Sequence, residues 1–307
     1  MVKIKKENLS HLSDKIKLVK ENTPRIGKIS DKNTLNDLTG SEWTHFLCSV
    51  KVTSYSTKGE EGFSHKLRKI HPTPKPPILL KEIIEFFTKK GDWVLDPFVG
   101  VGGTLYGCSL SSRNGVGIEL EQKYIDAYHD VCKEEDVTVQ PIIKGDSRNI
   151  EQILKTLRVK NKKIPKKFDL ILTDPPYSNM MTKKRTVTLK NGQTSTPFGE
   201  SKEDIGNLEL NDFLEELKNI IIKSLQLLKN KKYLIVFIKD MQPKEHHNML
   251  HADVVTRLTE ITELKFKGYK IWFDKTQTLY PLGYPYAFVA NQFHQYILIF
   301  RKEEIES

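Results

Sequence analysis

The run Thr173-Asp174-Pro175-Pro176-Tyr177 places a carboxylate, two ring-locked residues and an aromatic directly after Phe168, Leu170, Ile171 and Leu172, whose types predict a strand. A carboxylate beside a backbone carbonyl can accept both hydrogens of a planar amine. Asp174 offers the first acceptor and Pro175 the second, and together they favour the tetrahedral nitrogen that an amine needs when it attacks a methyl group. Pro175 and Pro176 stiffen the turn, and Tyr177 presents a face on which a base can stack. Taken alone, the same residues also describe a rigid loop with a capping Asp.

A second run tilts that balance. Asp96-Pro97-Phe98-Val99-Gly100-Val101-Gly102-Gly103-Thr104 follows the strand-like Trp93, Val94 and Leu95, and its glycines allow a sharp turn where a ligand can lie against bare backbone. About 20 residues further on, at the end of the next predicted strand, Glu119 is placed to take both hydroxyls of a ribose. There is no Lys-Ser/Thr phosphate cradle, so a nucleoside-bearing cofactor fits better than a nucleoside triphosphate. Asp146, in Gly145-Asp146-Ser147, either accepts from an adenine amino group or caps the helix that follows, and both roles are compatible.

These residues have to be positioned by alternating elements. Strands are predicted at 93–97, 115–120, 139–144, 168–174, 232–239, 264–273 and 295–301, and helices at 78–89, 103–111, 121–133, 147–158, 211–229 and 249–262. Alternation of this kind means a parallel sheet covered on both faces. Residues 1–40 are lysine-rich and read as a basic arm, leaving 41–307 as one catalytic domain. Two segments interrupt the rhythm. Residues 178–208 carry Lys183, Lys184, Arg185 and Lys190 around an Asn191-Gly192 hairpin signal, and residues 274–294 are rich in Tyr and Phe.

The 307 residues contain 49 Lys and Arg against 39 Asp and Glu, a net charge of +10 that favours a polyanionic partner. Cys48, Cys108 and Cys132 are scattered, which indicates neither a disulfide framework nor a metal site and fits a reducing cytosol. No apolar run approaches the length of a membrane span, and the start lacks a signal peptide's apolar core.

The pairing of Asp96-Pro97-Phe98 and Gly100 with Asp174-Pro175-Pro176-Tyr177, preceded by His71-Pro72-Thr73-Pro74-Lys75-Pro76, resembles the amino-group DNA methyltransferases that use S-adenosylmethionine. The resemblance runs from about Trp43 to Lys302. It implies an α/β, Rossmann-like doubly wound sheet of seven strands with the last one antiparallel, carrying an N-terminal arm and inserted loops. His71, Pro72 and Thr73 would close over the methionine end of the cofactor, with Phe98 near its adenine or sulfonium. Asp96, Pro97, Gly100, Gly102, Thr104, Glu119 and Asp146 would complete its site. Gly103 departs from the Thr or Ser that many relatives carry, while Thr104 remains.

The implied substrate is an exocyclic amine of a base flipped out of double-stranded DNA, with Lys183, Lys184, Arg185 and Lys190 on the phosphates. Adenine N6 is expected before cytosine N4, because Asp rather than Ser precedes Pro-Pro-Tyr. An RNA methyltransferase acting on guanine N2 or adenine N6 is the alternative, and a non-catalytic nucleic-acid-binding module has no need for Asp174, Tyr177 and Glu119 together. No separate target-recognition domain is evident, so recognition falls to the 178–208 and 274–294 loops, the arm, a recognition subunit or a second copy in a homodimer. A cognate restriction endonuclease is a further expected partner.

Overall fold

The computed structural model describes residues 27–55, 70–71, 74–177, 201, 203–240 and 248–304. The elements are α1 (Gly40–Phe46), β1 (Val50–Thr53), α2 (Pro77–Phe87), β2 (Trp93–Asp96), α3 (Gly103–Leu110), β3 (Asn114–Glu119), α4 (Gln122–Glu134), β4 (Ile142–Lys144), α5 (Ile150–Lys160), β5 (Phe168–Thr173), α6 (Leu210–Leu225), β6 (Leu228–Ile238), α7 (Leu250–Thr259), β7 (Leu264–Asp274) and β8 (Gln295–Lys302). They build one sheet in the order β1-β7-β8-β6-β5-β2-β3-β4.

The pattern read from sequence holds for the core strands, including the antiparallel one: β8 lies between β6 and β7 and runs against both. The count is corrected from seven to eight. Val50–Thr53 adds an edge strand parallel to β7. Its sequence signal is weak because it has four residues, of which only Thr53 is buried. Other differences are at element ends. The helix expected at 147–158 opens with a 3₁₀ turn over Ser147–Asn149, and β6 begins at Leu228 rather than 232.

Alternate side chains of each central strand feed opposite faces, as a pleated strand requires. Leu95, Ile171, Leu234 and Val236 pack with α5, α6 and α7 on one face. Val94, Leu170, Leu172, Ile235 and Phe237 pack with α2 on the other, and α3 and α4 share a third cluster around Tyr106 and Tyr128. Helix α2 starts at Pro77 after an N-cap Pro76, so the prolines that cannot be helical interior supply its first turn instead. Part of the expected arm is tied to this body. Asn36 is fully buried and donates to the Phe86 carbonyl at 2.6 Å, while the buried Arg113 reaches Asp37 at 3.3 Å. Residues 1–26 lie outside the described residues.

The chain leaves β2 toward β3 and β4 on one side and returns to β5 and β6 on the other. At such a reversal the two outgoing loops diverge and open a crevice at the carboxyl edge of the sheet. Strand β7 is antiparallel to β8 and therefore parallel to β6, so the 275–294 loop rises from this same edge. No helix among the described residues is long and apolar enough to cross a membrane.

Candidate active site

The crevice between the β2 and β5 loops is a cleft of about 830 Å³, counting the space at its opening that belongs to solvent. Its walls are Phe98 and Gly100 after β2, Glu119 at the end of β3, Asp146 after β4, and Asp174, Pro175, Pro176 and Tyr177 after β5. A smaller hollow of about 440 Å³ adjoins it, sharing His71, Phe98, Gly100 and Asp174 and reaching Lys75, Asp96, Thr104 and Phe237. Two runs that are separate in sequence thus face one space.

The glycine loop is a close-packed turn. Gly100 and Gly102 have φ of 55° and 81°, the left-handed region that glycine enters without steric cost. At Gly102 even the conformation is not the tightest limit, because a Cβ there would sit 2.1 Å from the Tyr128 ring. Over the loop lies His71, whose Nε2 is 3.5 Å from where a Cβ of Gly100 would be, and whose ring meets Tyr124 edge-on at 4.9 Å. Burial, with Lys75 and Lys123 nearby, pushes the His71 pKa down to about 3, so it is a neutral imidazole at any physiological pH.

Asp96 lies behind the turn rather than in front of it. Its Oδ1 accepts from the Phe98 N–H at 3.0 Å and the Thr173 hydroxyl at 2.9 Å, and its Oδ2 accepts from Thr104 at 2.6 Å. The carboxyl group therefore ties the end of β2 to the end of β5 and to the first turn of α3. Burial outweighs these donors and raises its pKa to about 7. Pro97 is held as well, since its carbonyl accepts the Ser147 hydroxyl.

Glu119 is the acidic wall of the cleft. Its Oε1 accepts from the Glu121 N–H at 2.8 Å, yet burial raises its pKa to about 7 against that bond and those from Gly100 and Leu120. Asp146 caps the 3₁₀ turn, accepting from the Arg148 N–H at 2.9 Å, and its other oxygen takes Arg148 Nη1 at 3.1 Å while the residue still lines the cleft.

Asp174 is engaged at both oxygens. Tyr177 donates its hydroxyl to Oδ1 at 2.6 Å, and Lys75 Nζ forms an ion pair with Oδ2. The Tyr177 ring is buried in the core beneath the cleft, and burial next to Asp174 raises its hydroxyl pKa well above the usual tyrosine value. Pro176 leans on the returning chain, where a Cβ on Gly206 would approach it to 2.7 Å.

Pro72, Thr73, Lys183, Lys184, Arg185 and Lys190 lie outside the described residues. Sequence reasoning passed over Lys75, Tyr124 and Asp204, which also line this space. Lys75 did leave a signal, as the one charged side chain within the Pro74 to Pro77 run.

A family model for DNA methylases, of the N6/N4 class, matches residues 2–130 and 168–306. The chain belongs to this DNA methylase family. Both site runs fall inside the match, whereas Asp146 falls in the gap between its two segments. Among curated proteins, the type II methyltransferase M.HinfI of Haemophilus influenzae is 39% identical over 127 residues, 41% of this chain and 30% of that protein. M.HpaI of Haemophilus parainfluenzae is 42% identical over 64 residues, 21% of this chain and 20% of that one. The chain therefore aligns with less than a third of either relative's length. Among solved structures, NSun6 from Pyrococcus horikoshii superposes with a TM-score of 0.45 at 12% identity, covering 76% of this chain and 53% of that one.

Proposed function

We propose that this DNA methylase transfers a methyl group from S-adenosylmethionine to the N6 amine of an adenine flipped out of double-stranded DNA. The observation that carries the reading is the meeting of Asp174 and Glu119 on one cleft at the β2–β5 reversal. The residues present fit the cofactor: a carboxylate for ribose hydroxyls at Glu119, an acceptor at Asp146, aromatic rings at Phe98 and Tyr124, and a hollow that continues to Asp174. When bound, the cofactor supplies an electrophilic methyl group on a sulfonium.

The protein's own part is to hold and polarise the amine. Asp174 accepts one amine hydrogen and the Pro175 carbonyl the other, which withdraws the nitrogen lone pair from the ring and points it across the cleft. The negative charge of Asp174 then stabilises the cation that forms on nitrogen, and the methylated amine sheds its proton without a strong base. His71 is held neutral and adds no positive charge near the sulfonium. Extruding the base costs a few kcal/mol of stacking and pairing, which basic contacts to phosphate at Lys183, Lys184, Arg185 and Lys190 offset.

The 275–294 loop is the second DNA contact in this reading. It is knit internally by Asn291, whose side chain bonds both the N–H and the carbonyl of Tyr280, yet it turns Tyr284, Tyr286 and Phe288 out to 82%, 92% and 91% exposure. Adenine is preferred because Asp174 precedes Pro-Pro-Tyr. The relatives' description as type II methyltransferases supports a companion restriction endonuclease, and the reading places the protein's action at DNA in the cytoplasm.

The test is incubation with labelled S-adenosylmethionine and either duplex DNA or RNA, then digestion and mass spectrometry of the nucleosides. N6-methyladenine from DNA is the expected product. Label in RNA alone overturns the substrate, and N4-methylcytosine overturns the base. Asp174→Ala should lower the transfer rate by at least roughly 100- to 1,000-fold while the cofactor still binds.

A further inference from the structure

Lys75 stands in the wrong place for the chemistry just described. It arrives from the proline run ahead of α2, 99 residues before Asp174, and its side chain is only 5% exposed. Its ammonium pairs with Asp174 Oδ2, lies 3.5 Å from the Tyr177 oxygen and sits 5.5 Å from the centre of the Phe237 ring. Among the described residues that line the cleft and its hollow, it is the only Lys or Arg. A positive charge on the carboxylate that must stabilise a developing ammonium opposes the reaction.

Lys75 has to leave Asp174 before transfer, and a buried ammonium that leaves one anion needs another. Among the described residues that line the hollow there is no spare one: the other carboxylate is Asp96, and both of its oxygens are on its own donors. The second anion must come in with a ligand, and the amino-acid tail of the cofactor carries a carboxylate.

We propose that Lys75 is a positioning residue that keeps Asp174 closed to the target amine until the carboxylate of the cofactor's amino-acid tail takes over its ammonium, which makes cofactor binding and target-base binding cooperative. This rests on the methyl-transfer reading above. Because coupling between two sites is reciprocal, it is visible in DNA affinity without any turnover.

The experiment measures the affinity of the full chain for a duplex containing its methylation site, alone and with saturating S-adenosylhomocysteine or methylthioadenosine, which lacks the amino-acid tail. For the wild-type protein S-adenosylhomocysteine should tighten DNA binding roughly tenfold, within the usual range of such couplings, and methylthioadenosine should leave it nearly unchanged. Lys75→Met should bind DNA with the same affinity in all three conditions. So should Asp174→Asn, which removes the ion pair but keeps an acceptor for Tyr177, and this variant decides the matter if Lys75→Met does not fold. Tightening by S-adenosylhomocysteine that persists in the variants overturns the proposal, as does equal tightening by methylthioadenosine. A protein that binds neither S-adenosylhomocysteine nor DNA refutes the methyl-transfer reading instead.

Discussion

Glu119 gives the sharpest quantitative expectation. Its carboxyl group is withdrawn from water at the end of β3, and burial holds its pKa at about 7 rather than the ordinary 4.5. Ribose hydroxyls donate to the ionised form, so a nucleoside ligand selects the carboxylate and has to displace a proton below pH 7. The ionised fraction rises about tenfold between about pH 6 and pH 8 for such a group, so the Kd for S-adenosylhomocysteine should fall about tenfold over that range. Calorimetry in buffers of different ionisation enthalpy should register about half a proton released per ligand at pH 7.

The stability of the ligand-free protein moves the other way. With the folded pKa raised, the native state keeps a proton that the unfolded chain has lost, so this contribution is full below about 4.5 and disappears as pH rises through about 7. Glu119→Gln should flatten the affinity profile and weaken binding at pH 8 by roughly 10- to 100-fold, the loss of a charged hydrogen bond. A Kd that is flat in the wild-type protein refutes the assignment. A slope that survives in Glu119→Gln moves the titration to Asp96, whose pKa is also about 7.

Gly102→Ala should cost about 2–5 kcal/mol, from a left-handed residue with a Cβ and from a 2.1 Å collision with the Tyr128 ring, and thermal melting measures it. A variant as stable as the wild type would show that the loop is not packed as described. Replacing Tyr284, Tyr286 and Phe288 together by Ala should leave the melting temperature within about 1 °C, because the rings touch little of the protein, yet weaken DNA binding roughly tenfold or more. Unchanged DNA affinity would remove the loop from the DNA interface.

How far this could be read from sequence depended on whether the informative contacts were local. Strands β2 and β5 and the second half of β6 carry apolar runs because central strands are buried on both faces, and such runs stand out against the lysine-rich background. Glu119 was legible for a related reason: the distance from a glycine turn to the end of the next strand is set by one helix and one strand. The edge strand β1 had neither advantage, with four residues and almost no buried face. Asp96 was legible as part of a motif, but its place behind the turn was not, since that is fixed by Thr104 and Thr173 together.

The pairing of Lys75 with Asp174 shows the limit most clearly. Each residue was visible within its own run, and nothing in either run requires the other. What joins them is the sheet: β5 ends beside β2, α2 packs on the face that holds Phe237, and Pro74 and Lys75, just ahead of α2, thereby line the hollow that Asp174 also faces. A charged side chain among prolines reads locally as a solvated loop residue. Buried against Asp174, to which the proposed transfer assigns one hydrogen of the target amine, it becomes a charge to be moved, and a site in which one ligand moves a charge that opposes the other is one where each ligand strengthens the other's binding.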